Sequence, residues 1–198
     1  RDNADSALNK LGLGIEHMDP QWFSVLVEQL RQFPKGIKRV VFSGLGEPLM
    51  NPRLPQMIRQ VADAGIADRI ELITNGLLIT KSKADELIGA GLTNINISIQ
   101  GTNSEQYMET STKAIDYPRF LENLTYLFEN RGNIKIYIKA IDATLKSKED
   151  EERFLALFGN IADQIFVEHL VVMQQQMEDL KLIVDSTKTF YNEALDLD

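Results

Sequence analysis

The sequence contains no cysteine, and this absence excludes several classes of chemistry. Without a thiol, the 198 residues form no disulfide and offer no thiolate nucleophile. They also offer no cysteine ligand for an iron–sulfur cluster or for a Cys-type zinc site. The two histidines, His17 and His169, lie far apart and show no metal-ligand spacing. The sequence therefore predicts no metal site built from its own residues.

Basic residues and long apolar runs are also scarce. There are 21 Lys and Arg against 29 Asp and Glu, which gives a formal net charge of -8. Nucleic acid is not an expected partner, because binding a phosphate backbone requires a basic surface. No apolar run approaches the ~18 residues of a membrane span, and there is no signal-peptide core. We expect a cytoplasmic globular protein with neither a membrane nor a nucleic-acid partner.

Short apolar runs alternate with segments of helical periodicity. The predicted strands are 38–43, 69–74, 94–100, 134–141 and 164–172. The predicted helices are 20–33, 52–65, 81–90, 118–130 and 148–158, and residues 102–116 form a polar segment with no predicted element. This alternation indicates right-handed βαβ units, a parallel sheet and an α/β fold of the partial (β/α) barrel type. A helix precedes the first strand, which suggests that a strand has been lost upstream.

The chain boundaries suggest a piece of a longer protein. The sequence begins with Arg1 rather than Met and ends in an acidic stretch. We expect residues 1–172 to form the truncated barrel and residues 173–198 to form a C-terminal helix or tail.

A glycine-containing loop follows the first predicted strand, within Lys38–Pro52. Gly44 and Gly46 would let the backbone take a positive φ and approach a ligand closely. Pro48 restrains the neighbouring Glu47. The loop thus sets one carboxylate at the carboxyl end of a buried strand, where α/β folds place their ligand sites. The alternative is a simple βα turn.

Polar residues also lie at or near the carboxyl ends of the other predicted strands. They are Thr74 and Asn75, Ser98 and Gln100, Lys139 and Asp142, and Glu168 and His169. In a parallel sheet these residues share one end, which predicts a polar ligand pocket. Ser98 and Gln100 share one strand face by period two. Lys139 needs a partner if it is buried, unless its ammonium reaches solvent.

Three of these stretches together resemble the radical S-adenosylmethionine (SAM) superfamily. Val40–Pro52 is similar to the family's Gly-Gly-Glu-Pro strand and loop. Ile-Thr-Asn-Gly at 73–76 is similar to its next strand end, and Ile-Ser-Ile-Gln-Gly at 97–101 to its ribose-contacting strand. The resemblance covers residues 20–172. It is greatest to the peptide-modifying and maturase (SPASM-type) members, which carry an additional Cys-rich C-terminal domain.

The resemblance implies a partial (β/α)₆ barrel that holds SAM against a [4Fe–4S] cluster. The cluster cleaves SAM reductively to a 5′-deoxyadenosyl radical, which abstracts hydrogen from a substrate, here a peptide or protein. The implied cofactor-binding residues divide among the strand ends. Gly44, Gly46 and Glu47 would hold the methionine amino group, Ser98 and Gln100 would face the ribose and carboxylate, and His169 and Leu170 would flank the adenine. Pro48, Thr74, Asn75 and Lys139 would lie at the same mouth.

The sequence also departs from the family pattern. The cluster-binding Cys-x-x-x-Cys-x-x-Cys is absent, Leu45 replaces a loop glycine, and residues 110–113 replace an arginine often found after the ribose strand. We therefore expect an inactive core fragment whose parent binds the cluster. Two alternatives remain: a cluster-less module that binds SAM or another nucleotide, and a non-catalytic barrel scaffold.

Overall fold

The computed structural model describes residues 17–44, 46–111 and 114–168. Over these ranges, five strands and six α-helices alternate. The strands are β1 (Ile37–Phe42), β2 (Ala67–Thr74), β3 (Asn94–Ile99), β4 (Lys135–Ile141) and β5 (Gln164–Glu168). The helices are α1 (Pro20–Leu30), α2 (Leu54–Ala64), α3 (Lys81–Gly89), α4 (Ser104–Ser111), α5 (Tyr117–Asn130) and α6 (Lys148–Phe158). The described residues belong to one compact unit that ends at Glu168.

The five strands form one sheet in the order β1-β2-β3-β4-β5, and every pair is parallel. Because each strand lies beside the next one in sequence, the right-handed crossovers place the connecting helices on one face. Such an arrangement is typical of a partial barrel, in which the first and last strands do not pair. The predicted α/β partial barrel is confirmed.

Alternation along the central strand shows how the two faces differ. Ile95, Ile97 and Ile99 are buried in the core shared with the helices. Asn96 and Ser98 point to the opposite, concave face, since successive side chains of a strand alternate. The helices contribute apolar stripes to the same core, and α2 buries Leu54, Met57, Ile58 and Val61 along one side.

Several predicted boundaries were wrong for local reasons. Helix α1 ends at Leu30 rather than residue 33, because turns lead into Pro34, which cannot continue a helix. Helix α2 begins at Leu54 rather than residue 52. A single 3₁₀ turn, Pro48–Met50, precedes it and is capped by the Glu47 side chain.

The polar segment 102–116 contains a helix that the sequence analysis did not predict. Helix α4 has little apolar periodicity, with Tyr107 fully buried and Met108 exposed. Side-chain hydrogen bonds to the residues just after β3 hold this helix in place. Helix propensity and apolar periodicity do not reveal such bonds.

The remaining predicted segments lie partly beyond the described residues. The last strand was predicted to reach residue 172, and its described part is Gln164–Glu168. His169, Leu170, the lead-in before His17 and the predicted tail 173–198 lie outside the described residues. No helix in the described ranges is long and apolar enough to cross a membrane.

Candidate functional site

The Glu47 carboxylate joins the exits of two neighbouring strands. Its Oε1 accepts hydrogen bonds from the Leu49 N–H at 3.0 Å and from the Thr74 hydroxyl at 2.6 Å. Its Oε2 accepts one from the Asn75 N–H at 2.9 Å. Charged acceptors make stronger hydrogen bonds than neutral ones. The carboxylate therefore fixes the loop after β1 against the end of β2.

These contacts give Glu47 a structural role that was not predicted from the sequence. The resemblance placed this side chain against a cofactor amino group, but three protein donors already use it. Pro48 supports the same geometry, because it opens the 3₁₀ turn that Glu47 caps and its ring presets φ.

A cavity of about 230 Å³ lies where β1, β2 and β3 end. It brings together seven of the predicted site residues: Gly44, Gly46, Glu47, Pro48, Thr74, Asn75 and Ser98. Ser43 and Ile73 complete its lining. The strand-end side chains that are dispersed over more than fifty positions of the sequence thus meet around one space.

A second cavity of about 370 Å³ borders the same loop on the side of α1. It shares the loop residues Ser43, Gly44, Gly46, Glu47 and Pro48 with the first cavity. Its other lining residues are mostly apolar, among them Phe42, Leu54 and Met57. Its volume falls in the range of about 300–1,000 Å³ that is typical of small-molecule pockets.

Gly44 and Gly76 differ in whether the backbone and the surrounding atoms would accept a larger residue. Gly44 does not take a positive φ, so this part of the prediction was wrong, and a Cβ built there would meet no atom within 4 Å. Gly76 does have φ of 75°, and an added Cβ would lie 2.9 Å from Cγ2 of Ile97. The turn after β2 therefore demands glycine, whereas position 44 has open space beside it.

The structure does not place Gln100 or Lys139 in the lining of the strand-end cavity. Gln100 follows the last residue of β3, and its backbone N–H donates to the Tyr107 hydroxyl at 3.3 Å. Lys139 lies opposite Ser98 in the sheet register, and its Nζ binds both carboxylate oxygens of Glu168 at 2.9 Å. The ion pair supplies the partner that a partly buried lysine requires.

The concave face carries a second polar group that the sequence analysis did not identify. Glu71 is 4% exposed, and its Oε2 lies 3.5 Å from both Nη1 of Arg39 and Nε of Arg69. The Asn96 side-chain amide donates to its other oxygen. Period-two alternation of polar residues in β2 and β3 was the signal that could have revealed this group.

A comparable group lies at the start of β4. Burial raises the pKa of Asp163, but its hydrogen bond from the Ile136 N–H and the charges of Arg131 and Lys135 outweigh burial and lower the pKa overall. Both cations lie 3.4 Å from the carboxylate. The Glu71 group and the Asp163 group therefore each contain two cationic side chains and one carboxylate. Among the described residues, no cluster of His, Asp and Glu could hold a metal ion.

Residues 4–156 match the family model of the radical SAM superfamily. The chain belongs to the radical SAM superfamily. Members of this enzyme superfamily use SAM together with a [4Fe–4S] cluster. The resemblance drawn from the glycine loop and the two following strand ends is thereby confirmed at the level of the superfamily.

A curated sequence relative shares much of this chain. The chain is 32% identical over 145 residues to a protein named "Probable GTP 3′,8-cyclase" of Methanococcus vannielii, covering 73% of this chain and 46% of the relative. It thus spans less than half the length of that radical SAM relative.

The solved structures show the fold. SuiB of Streptococcus suis bound to S-adenosylmethionine has a TM-score of 0.61 at 20% identity, covering 92% of this chain and 41% of SuiB. SuiB bound to its precursor peptide SuiA has a TM-score of 0.62 at 20% identity, covering 80% and 34%.

The two cofactors of the superfamily fit this chain differently. The strand-end cavity offers a carboxylate-braced loop and hydroxyl-bearing side chains, which suit the polar groups of SAM. The cluster requires thiolate ligands, and these 198 residues contain no cysteine. The residues present therefore do not fit the cluster.

Proposed function

We propose that this chain is the SAM-binding core of a radical SAM enzyme. SAM would occupy the strand-end cavity beside Gly44, Gly46 and Ser98. In a parent enzyme whose cluster is held by other residues, the bound SAM would be the source of the radical chemistry that abstracts hydrogen from a substrate. The part that this chain contributes is to bind and orient SAM.

The observation that carries this proposal is the brace formed by Glu47. Because its carboxylate holds Leu49, Thr74 and Asn75, the loop and the end of β2 are fixed at one side of the cavity before any ligand arrives. Preorganised polar groups raise affinity, since less ordering is required on binding. Small ligands with several charged groups benefit most from such a site.

The open space at Gly44 allows a sharp test of SAM binding. In Gly44→Val the added side chain would project into space lined by the loop, while the backbone needs no positive φ. We expect the variant to fold with an unchanged melting temperature and to bind SAM at least tenfold more weakly in calorimetric titration.

Gly159→Val is the matched control. Gly159 also has no atom within 4 Å of an added Cβ, and it lies in the turn after α6, away from the cavity. Its affinity for SAM should equal that of the unsubstituted chain. Absence of SAM binding by the unsubstituted chain, or equal binding by Gly44→Val, would contradict the proposal and favour a scaffold.

For the parent's substrate, a peptide remains one proposal. It rests on the resemblance to the peptide-modifying members and on the shared fold with SuiB, which has been solved with its precursor peptide SuiA. Hydrogen abstraction from a peptide would require the concave face to accept an extended chain.

The charges of the concave face favour a second candidate, a nucleoside triphosphate. On this face Arg39 and Arg69 share Glu71, so the group has a surplus positive charge. This surplus occurs in a chain whose net charge is -8. A relative named for GTP cyclisation is consistent with this class of substrate.

Direct titration distinguishes the two substrate classes. If the substrate is a nucleoside triphosphate, GTP should bind the chain, and Arg69→Gln should weaken binding while Lys146→Gln, in a surface pair with Glu109, should not. Failure of GTP to bind, with retention of SAM binding, would leave the peptide as the better candidate.

A further inference from the structure

The backbone immediately after β3 is held by side chains rather than by neighbouring strands. The Gln100 N–H donates to the Tyr107 hydroxyl at 3.3 Å, and the Gly101 carbonyl accepts from the Tyr117 hydroxyl at 3.3 Å. The Thr102 N–H donates to Oε1 of Gln106 at 2.6 Å. Three consecutive residues thus each have a backbone group paired with a different side chain.

Gln106 connects this segment to α6. Its Oε1 also accepts from the Thr102 hydroxyl at 2.9 Å, and its Nε2 donates to Oδ1 of Asp150 at 2.8 Å. Asp150 is 8% exposed and lies in the first turn of α6, 3.6 Å from Nη1 of Arg153. The chain leaving β3 is therefore tied to two helices through one amide.

The packing around this segment is close. A Cβ added at Gly101 would lie 2.7 Å from Cβ of Gln106 and 3.2 Å from the backbone nitrogen of Tyr107. Tyr107 is fully buried, and burial raises its pKa to about 12, partly offset by the Gln100 N–H. Its ring packs against those of Tyr117 and Phe120 at centroid distances of 5.9 and 5.8 Å. The two phenols are therefore locked in place by the core.

This held segment lies directly beyond the strand that supplies Ser98 to the cavity. Ser98 is two residues before Gln100, and a shift of the backbone at one end of so short a span moves the other. Rigid support by packed, hydrogen-bonded neighbours is what keeps ligand-contacting groups within a fraction of an ångström of their productive positions.

We infer that Gln106, Tyr107 and Tyr117 are positioning residues for the SAM site, acting through the backbone of Gln100, Gly101 and Thr102. This inference rests on the proposed function, since it takes SAM as the ligand of the strand-end cavity. None of the three side chains lines that cavity, so their effect is transmitted through β3.

Two near-isosteric variants of the 198-residue chain test the inference. Tyr107→Phe removes the acceptor of the Gln100 N–H, and Gln106→Met removes the amide that binds Thr102 and Asp150. Tyr126→Phe is the matched control, because the hydroxyl of Tyr126 binds only Asp85 among described residues, on the exposed side of α3 and α5. SAM affinity is measured by calorimetry well below the melting temperature of every variant.

We expect the dissociation constant for SAM to rise about fivefold to tenfold in Tyr107→Phe and at least as much in Gln106→Met, because the first variant loses one hydrogen bond to this segment and the second loses two. Amide hydrogen exchange at Gln100 and Thr102 should accelerate in the corresponding variant. Tyr126→Phe should change neither quantity.

The outcomes separate this inference from the proposed function. If the unsubstituted chain binds SAM and both variants bind it equally well, the positioning role is overturned and the proposed function stands. If the unsubstituted chain binds no SAM, both are overturned. A change of affinity that Tyr126→Phe reproduces would also overturn the positioning role.

Discussion

Replacing Glu47 with glutamine tests whether the brace between the first two strand exits stabilises the fold. The carboxylate accepts hydrogen bonds on both oxygens, from Leu49 and Thr74 on one and from Asn75 on the other. An amide has a single acceptor oxygen, so in either orientation its NH₂ group faces a donor. Glu47→Gln therefore cannot preserve all three hydrogen bonds.

The expected cost follows from the number and environment of these bonds. Hydrogen bonds to charged groups contribute about 1.5–3 kcal/mol, and a buried donor left unpaired costs about 1–3 kcal/mol. Thr74 is 3% exposed, so solvent cannot replace the lost acceptor there. We expect the free energy of unfolding to fall by about 2–3 kcal/mol, which for a protein of this size lowers the melting temperature by about 4–12 °C.

Chemical denaturation of single and double variants measures this effect. Thr74→Val removes the hydroxyl that donates to Glu47 and accepts from the Gly76 N–H. It should cost about 2 kcal/mol alone and less in the Glu47→Gln background, where only the bond to Gly76 remains to be lost in full. Glu122→Gln, in an exposed pair with Lys81, makes the same chemical change at the surface and should leave stability unchanged. If Glu47→Gln unfolds with the same free energy as the unsubstituted chain, the brace does not stabilise the loop.

Three further predictions concern the supports of the site. Gly76→Ala should destabilise the chain more than Gly132→Ala in urea denaturation, because both have a positive φ but only an added Cβ at 76 meets a side chain at 2.9 Å; equal losses would contradict the packing. The folded chain holds the Tyr107 proton more tightly than the unfolded chain does, so stability should fall as pH rises from about 10 to about 12. Tyr107→Phe should remove about 1.4 kcal/mol per pH unit of that decline, and an unchanged slope would refute the assignment. Ser147→Ala should cost about 1 kcal/mol, because the Ser147 hydroxyl caps α6; no loss in thermal unfolding would show the cap to be dispensable.

The class of fold could be predicted from the sequence alone. Short apolar or alternating segments separated by amphipathic helices were enough to predict five parallel strands, because βαβ units leave this pattern in the sequence. The glycine loop and the strand ends at Thr74, Asn75 and Ser98 could be collected from the same topology, since parallel strands end at one edge.

The contacts between those residues could not be predicted from the sequence, because they depend on the tertiary structure. The bonds from Glu47 to Thr74 and Asn75 span 27 and 28 positions, and the bond from Gln106 to Asp150 spans 44. Contacts at such separations depend on how the strands pair and helices pack, which no local pattern reports. Helix α4, which has almost no apolar periodicity, was missed because side-chain hydrogen bonds hold it to Gln100, Thr102 and Asp150, and a search for apolar periodicity does not detect such bonds.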